Sequence, residues 1–239
     1  MHKQVINSIL LLLSVLFISS CATKSNPDPY EPMNRAIFNF NDKAYKYAVG
    51  PATDAYVYTV PGEFRSGINN FFTNLGNVSN ITNDLLQAEW YYAFVDSSRL
   101  VLNTIFGVFG FFDVAKTVGL NRHTQTFGLT LAKWGYTNSA YLVLPIIGPS
   151  TVRDTIGLIP DYYLYPLQYS KIPFPLNLAT AGIYGLNQSA IYLPQYNSLT
   201  EFAFDPYVAT RNAYLQYMNH LIDPNKNPDA GVNFKNEEF

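Results

Sequence analysis

Cys21 is the only cysteine in the 239-residue chain, and its thiol is the best nucleophile the sequence offers. It follows a short start with one cation at Lys3, a mostly apolar run from Val5 to Ile18, and the small pair Ser19 and Ser20. That order describes a secretory signal closed by a small-residue cleavage site. The run is too short to span a bilayer. A cysteine directly after such a site accepts diacylglycerol on its sulfur and becomes the new, acylated amino terminus after cleavage. Residues 1–20 are therefore read as a signal peptide and Cys21 as the lipid attachment site. One acyl chain anchors a protein only marginally, at about 0.8 kcal/mol per buried methylene, whereas three chains make attachment effectively permanent. Ala22 stands where an aspartate would favour inner-membrane retention, which points to the periplasmic side of a Gram-negative outer membrane.

Little else in the chain suggests bond-making chemistry. With Cys21 committed to lipid, no disulfide can form. His123 and His220 sit in NRHTQ and MNHLI, without the spacing of a His-Glu-x-x-His zinc motif, so no metal is expected. No Gly-x-Ser-x-Gly elbow occurs, and the pairs Gly107/Gly110 and Gly182/Gly185 are isolated in apolar surroundings rather than in phosphate-binding loops. Asp96 and Arg99 are spaced for an i,i+3 ion pair on one helix face. Arg153 and Asp154 read as a helix cap and a local ion pair. The expectation is a protein that is not an enzyme and uses no cofactor; a lipid hydrolase with an unfamiliar triad is the enzymatic alternative.

Composition supports a partner of a different kind. Charged residues make up 13% of the chain and aromatic residues 16%, with 19 tyrosines. The charged share is about half that of an ordinary soluble domain. A net charge of −2 supplies no cationic field, which weighs against nucleic acid and against electrostatic adsorption to anionic head groups. Contact with lipid must then be apolar and interfacial.

The elements that position these residues read as helices. Asp28, Pro29 and Glu31 form a helix opening, and Met33, Ile37, Phe40, Ala44 and Tyr47 recur at spacings of three and four until Gly50 and Pro51. Phe38, Asn41, Asp42 and Tyr45 form the other side, with rings mixed among polar groups. Phe64, Ile68, Phe71 and Leu75 predict a second helix ending at Gly76, followed by an asparagine-rich turn over 77–83. A longer helix runs from Trp90 to Phe106. Gly107 and Gly110 then break the apolar run where a spanning helix would continue, which predicts a kinked or re-entrant element. Prolines in LVLPIIGP, from Leu142 to Pro149, predict a buried loop. Thr151 and Asp154 cap a short helix closed near Gly157, and Asp205 and Pro206 open the last one. Between Ile172 and Thr200 no residue is formally charged; its glycines and prolines predict interfacial helical pieces rather than one spanning helix. The tail 224–239 is polar.

Four segments carry a resemblance: DPYEPMNRAIFNFN from Asp28, RLVLNTIFGVFGFFDVA from Arg99, YLVLPIIGPSTVRD from Tyr141 and DPYVATRNAYLQ from Asp205. In this order they resemble the MlaA family, also called VacJ-like lipoproteins, over nearly the whole mature chain. The resemblance implies a 21–27 lipidated linker and a helical domain over 28–223. It implies an all-α fold: a ring-like assembly of amphipathic helices in the inner leaflet of the outer membrane, with a central amphipathic channel. It further implies removal of misplaced phospholipid from the outer leaflet and its transfer to a periplasmic MlaC-like lipid carrier, alongside a trimeric OmpC/OmpF-like porin. Within that frame Phe38, Asn39, Phe40, Asn41, Gly107 and Gly110 are the candidates for the lipid channel or its gate. A structural outer-membrane scaffold is the alternative reading. Where the family commonly has an acidic residue before FG and a glycine after LLQ, this chain has Thr126 and Ala88.

Overall fold

The computed structural model describes residues 27–223, so Cys21, the signal peptide, nearly all of the linker and the 224–239 tail lie outside the described residues. The chain forms α1 (Glu31–Ala44), a π-helical turn (Tyr45–Val49), α2 (Gly50–Thr59), α3 (Gly62–Leu86), α4 (Trp90–Ile105), α5 (Val114–Thr117) and α6 (Phe127–Lys133). A hairpin of β1 (Tyr141–Leu144) and β2 (Gly148–Thr151) follows, then α7 (Val152–Leu164), a 3-10 turn (Pro166–Tyr169), α8 (Phe174–Thr200) and α9 (Pro206–Ile222). The fold is all-α apart from this hairpin, and its packing closes a circuit. From α1 the chain runs through the π turn into α2; α2 packs on α8, α8 on α3, α3 on α7, α7 on the hairpin, and the hairpin back on α1. Among the described residues no helix is long and apolar enough to cross a membrane.

The helices turn polar groups inward. The largest fully buried side chains include Arg99, Arg153, Asn34, Asn83, Asn187 and Asp96, while Trp90, Phe109, Ile159, Phe174 and Leu178 are exposed. The predicted apolar stripe faces out at Met33 and Phe40 of α1 and at Tyr47 of the π-helical turn, and the buried face of α1 is Asn34, Phe38 and Asn41. The periodicity marks the helix correctly, and the stripe it picks out is mostly the exposed side, with Ile37 turned to the buried cluster.

Asn34 and Asn41 explain how the hairpin is held. Asn34 donates from Nδ2 to the Tyr141 carbonyl at 3.0 Å and accepts from the Val143 amide at 2.9 Å. Asn41 repeats the pattern with the Leu144 carbonyl and the Ile146 amide, both at 2.8 Å. Seven residues of α-helix rise about 10.5 Å, and three residues of strand advance about 10 Å. The two amides therefore match the free edge of β1 and substitute for a neighbouring strand. This satisfies backbone groups that would otherwise be orphaned. The segment expected to be a buried loop is thus a strand pair. Pro149 is tolerated because a two-stranded ladder has only edge strands.

Three other expectations change for stated reasons. Gly50 and Pro51 do not end the first helix. Proline has no N–H for the next hydrogen bond, and the Gly50 amide reaches five residues back to the Tyr45 carbonyl, widening the turn and letting α2 continue. The predicted turn over 77–83 is the last half of α3. Asn83 donates to Asp161 at 2.9 Å and accepts from the Thr130 hydroxyl at 2.8 Å, so tertiary bonding overrides the turn preference of asparagine. The charge-free segment is one 27-residue helix, α8, that carries Pro194 internally. Capping predictions hold elsewhere: Thr151 accepts from the Asp154 amide at 3.1 Å, and Asp205 accepts from Val208 at 3.2 Å. Asp28 does not cap α1; its carboxylate takes bonds from Asn34, Tyr207 and Arg211, tying the start of the domain to α9.

Replacing Asn34 with alanine leaves the Tyr141 carbonyl and the Val143 amide buried without partners. The expected loss is about 2–4 kcal/mol, visible as a fall of roughly 5–10 °C in the thermal midpoint of the detergent-purified protein; a shift below 1 °C would remove the surrogate-strand role.

Candidate functional site

The segment after α4 is built to expose apolar groups on a polar anchor. Its tip carries Val108, Phe109 and Phe112, all more than half exposed, while Gly107 and Gly110 are buried. Val108 and Phe109 have φ of 52° and 57°, and Gly110 has φ of 94°. A left-handed conformation in a β-branched residue is strained, by about 1–3 kcal/mol, and persists only where the surroundings impose it. Here they do. The Gly110 amide donates to the Asn103 carbonyl at 2.8 Å and the Phe112 amide to the Gly107 carbonyl at 2.8 Å. Asn70 of α3 donates to the Phe111 carbonyl at 3.2 Å, and the Phe111 ring fills the space that a side chain at Gly67 would need. A Cβ on Gly110 would lie 2.4 Å from that of Asn74, and one on Gly107 would lie 2.2 Å from the Phe112 carbonyl oxygen. Both glycines are required by close approach.

Beneath the tip lies an ion cluster that the sequence assigned differently. Arg99 does not pair with Asp96; its guanidinium grips Asp113 through two bonds of 3.0 and 2.9 Å and donates to the Leu120 carbonyl. Asn103 adds a bond to Asp113 at 3.0 Å and accepts from the Ala115 amide at 2.8 Å. Arg122 completes the set at 3.1 Å from Asp113 and also donates to Asn70. Burial raises the Asp113 carboxyl, but bonding to Arg99 and Asn103 and the charge of Arg122 outweigh it and hold the group below the usual carboxylate range. The cluster therefore fixes the strained loop to α3 and α4 through charge-assisted bonds, the strong kind in a low-dielectric interior.

The other candidates fall in different places. Phe38 packs in a small core with Tyr141, Val143 and Tyr207, edge-on to the Tyr207 ring at 5.6 Å. It also borders a cleft of ≈ 290 Å³ shared with Arg35, Asn39, Asp42, Thr200 and Asp205. Arg35 cannot offer a free cation there, because it is bound to Asp205 at 3.2 and 2.8 Å and to Glu31 at 2.7 Å. Asn39 and Phe40 are exposed, Asn41 is committed to the hairpin, and the α1 candidates are thus separate from the Gly107–Gly110 loop. Arg153 is buried and paired with Asp154 at 2.9 Å, as its neighbour in sequence suggested.

A family model described as MlaA lipoprotein matches residues 26–221. The chain belongs to the MlaA lipoprotein family. Relatives include the intermembrane phospholipid transport system lipoprotein MlaA of Escherichia coli strain K12, 32% identical with 92% of each chain covered. The protein of the same description in Haemophilus influenzae is 30% identical, with 90% of each chain covered. A solved structure described as the structural basis for maintenance of bacterial outer membrane lipid asymmetry superposes with a TM-score of 0.72 at 30% identity, covering 82% of this chain and 99% of that one.

Membership in the MlaA family gives the two sequence departures a physical meaning. Ala88 has φ of 58°, so the position where the family commonly has glycine is one that disfavours a Cβ. Thr126 accepts from the Leu129 amide at 3.2 Å and caps α6, the role a carboxylate would also fill. Sequence reasoning missed Asp113, Asn103, Asn70 and Asn74. The helical spacing of Asn70, Asn74 and Asn77 was the available signal, since three amides on one face of a helix need partners.

Two glycine changes separate strain from propensity. Gly110→Ala places a Cβ at positive φ against Asn74 and should cost at least about 2 kcal/mol. Gly182→Ala, in exposed α8 with nothing within 4 Å, should be neutral or stabilise by up to about 1 kcal/mol. Denaturation of the two variants beside the parent checks this, and equal effects would contradict the loop geometry.

Proposed function

We propose that this protein is an outer-membrane lipoprotein that removes mislocalised phospholipids from the outer leaflet and passes them through an amphipathic channel to a periplasmic carrier, maintaining lipid asymmetry. The observation that carries this reading is the inversion of the helices: apolar side chains outside, hydrogen-bonded polar groups inside, in a closed circuit that among the described residues has no helix long and apolar enough to cross a membrane. A body with that surface is suited to lie in one leaflet, since its outer faces match hydrocarbon and its helical backbone groups are satisfied internally. A phospholipid moving between leaflets must shield its head group, because an unpaired polar or charged group in hydrocarbon costs several kcal/mol. A polar wall within the helical circuit supplies that shield.

The names of the relatives support the same assignment, as they describe lipoproteins of an intermembrane phospholipid transport system. The anchor is Cys21, the carrier is a soluble MlaC-like protein, and a trimeric OmpC/OmpF-like porin is the outer-membrane neighbour. The Gly107–Gly110 loop, with its strained apolar tip on the Arg99–Asp113 anchor, is the better gate candidate; Phe38 and Asn41 position α1 against the hairpin. No covalent step and no cofactor are needed when lipid moves to a carrier that binds it more tightly.

Cells lacking the gene should accumulate phospholipid in the outer leaflet, and expression of the intact protein should reverse this. Cys21→Ser should lose acylation and fail to reverse it. Head-group labelling of intact cells, with intact-mass analysis of the purified protein, makes the test. Unchanged outer-leaflet phospholipid in the gene-deleted cells would overturn the reading, and a scaffold role would then be favoured if envelope mechanics changed alone.

A further inference from the structure

Far apart in the sequence, Asp84 near the end of α3, Asp96 in the middle of α4 and His123 in the segment before α6 converge on one buried point. One ligand atom from each lies within 4.8 Å of the other two. Both aspartates are fully buried, and neither oxygen of either carboxylate has a hydrogen-bond partner; Nδ1 of His123 has none either. Five of the ten unpartnered buried side-chain atoms among the described residues fall in this one place, while the others are scattered singly. Two uncompensated buried carboxylates would cost several kcal/mol each, so something positive belongs between them.

The distances discriminate among the candidates. His123 Nδ1 is 3.5 Å from Asp84 and 3.6 Å from Asp96. Both separations exceed the roughly 2.7–3.2 Å of a nitrogen–oxygen hydrogen bond, so a shared proton does not join these atoms directly. Two ligands on a tetrahedral ion with bonds of about 2.0–2.1 Å stand about 3.4 Å apart. One nitrogen and two carboxylate oxygens are a donor set for a borderline first-row ion rather than for calcium, which takes oxygen ligands alone.

The histidine is also oriented. Its ring stacks on Tyr92 with centroids 4.1 Å apart and planes within 10°, and its carbonyl accepts from Asn80 at 2.9 Å. Nε2 lies 3.4 Å from the side-chain amide of Gln125. The Gln125 oxygen in turn accepts from Gln87 at 2.9 Å, so the ring is held between Tyr92 and a side-chain amide that is itself fixed.

We propose that Asp84, Asp96 and His123 form a binding site for a divalent first-row cation, best matched by zinc, that ties the 118–126 segment to α3 and α4. His123 is one-fifth exposed, which leaves a side open for a water as fourth ligand. A metal clip of this kind supplies the cross-link that a chain without a cysteine pair cannot make. The ligating ring stacks on Tyr92, whose ring meets that of exposed Tyr91 at the start of α4, so the site bears on the part of the molecule that presents these aromatics.

The test uses the full lipidated protein purified in mild detergent, stripped with a chelator and titrated with zinc or cobalt(II) alone. The expected result is uptake of about one ion per chain, a visible cobalt d–d band of the intensity of a four-coordinate site, and a zinc-dependent rise in thermal midpoint. His123→Gln, and separately Asp84→Asn, should weaken binding by more than about tenfold. The parent protein alone decides the matter if a variant fails to fold. No stoichiometric uptake, or a thermal midpoint unmoved by zinc and chelator, would overturn the site, as would a folded variant that binds as tightly as the parent.

Discussion

A polar group removed from water must find a partner, and in this molecule that constraint governs the interior rather than the surface. The helices point asparagine, aspartate and arginine side chains at one another and leave aromatic and aliphatic ones outside. Hydrophobic burial therefore contributes less to specificity than the matching of amides to backbone. Asn34 and Asn41 dock a strand edge, Asn83 and Ser79 meet Asp161, and Asn103 shares Asp113 with Arg99. Each such bond contributes about 1 kcal/mol when made and costs more when half of it is removed. The architecture is thus tolerant of what faces outward and intolerant of change within.

That distribution links fold to function. Satisfied helices can lie against hydrocarbon, and irregular backbone is acceptable only where protein or a polar cavity covers it. The strained Val108–Gly110 turn obeys this rule: the Phe109 and Gly110 amides are bonded to α4 and the Val108 carbonyl within the loop, while the Val108 and Phe109 side chains are exposed. Strain held in place by a buried ion cluster is a means of keeping one loop conformation in a region that would otherwise continue as helix. The Arg99–Asp113 pair is consequently a positioning device, and its cost of burial is offset by four further hydrogen-bonding partners around it.

Much of this was legible in the sequence. The helical class, the caps at Thr151 and Asp205, and the break at Gly107 and Gly110 follow from local rules that the structure obeys. The faces of α1 were not legible, because hydrophobic periodicity reports which side is apolar and not which side is buried. The helix over 77–83 was hidden by the turn preference of asparagine, whose partners Thr130 and Asp161 lie about 47 and 78 residues away. Long-range pairing also disguised Arg99, whose spacing to Asp96 fits a helix pair while the bond goes to Asp113. Asp84 and His123 carried no spacing motif at all, since their meeting is a product of three segments folding together.

The central claim is that the outer faces of the helices contact lipid hydrocarbon. Cys21 is the chain's only cysteine and its sulfur is acylated on this account, so a single introduced thiol can carry a spin label. Labels placed at Phe109, Ile159 and Leu178, each exposed on a different element, can be measured in reconstituted bilayers by collision with oxygen, which partitions into lipid, and with a water-soluble nickel chelate. The account predicts strong relaxation by oxygen and protection from nickel at all three positions. Ready access of nickel to all three would place these faces in water and contradict it.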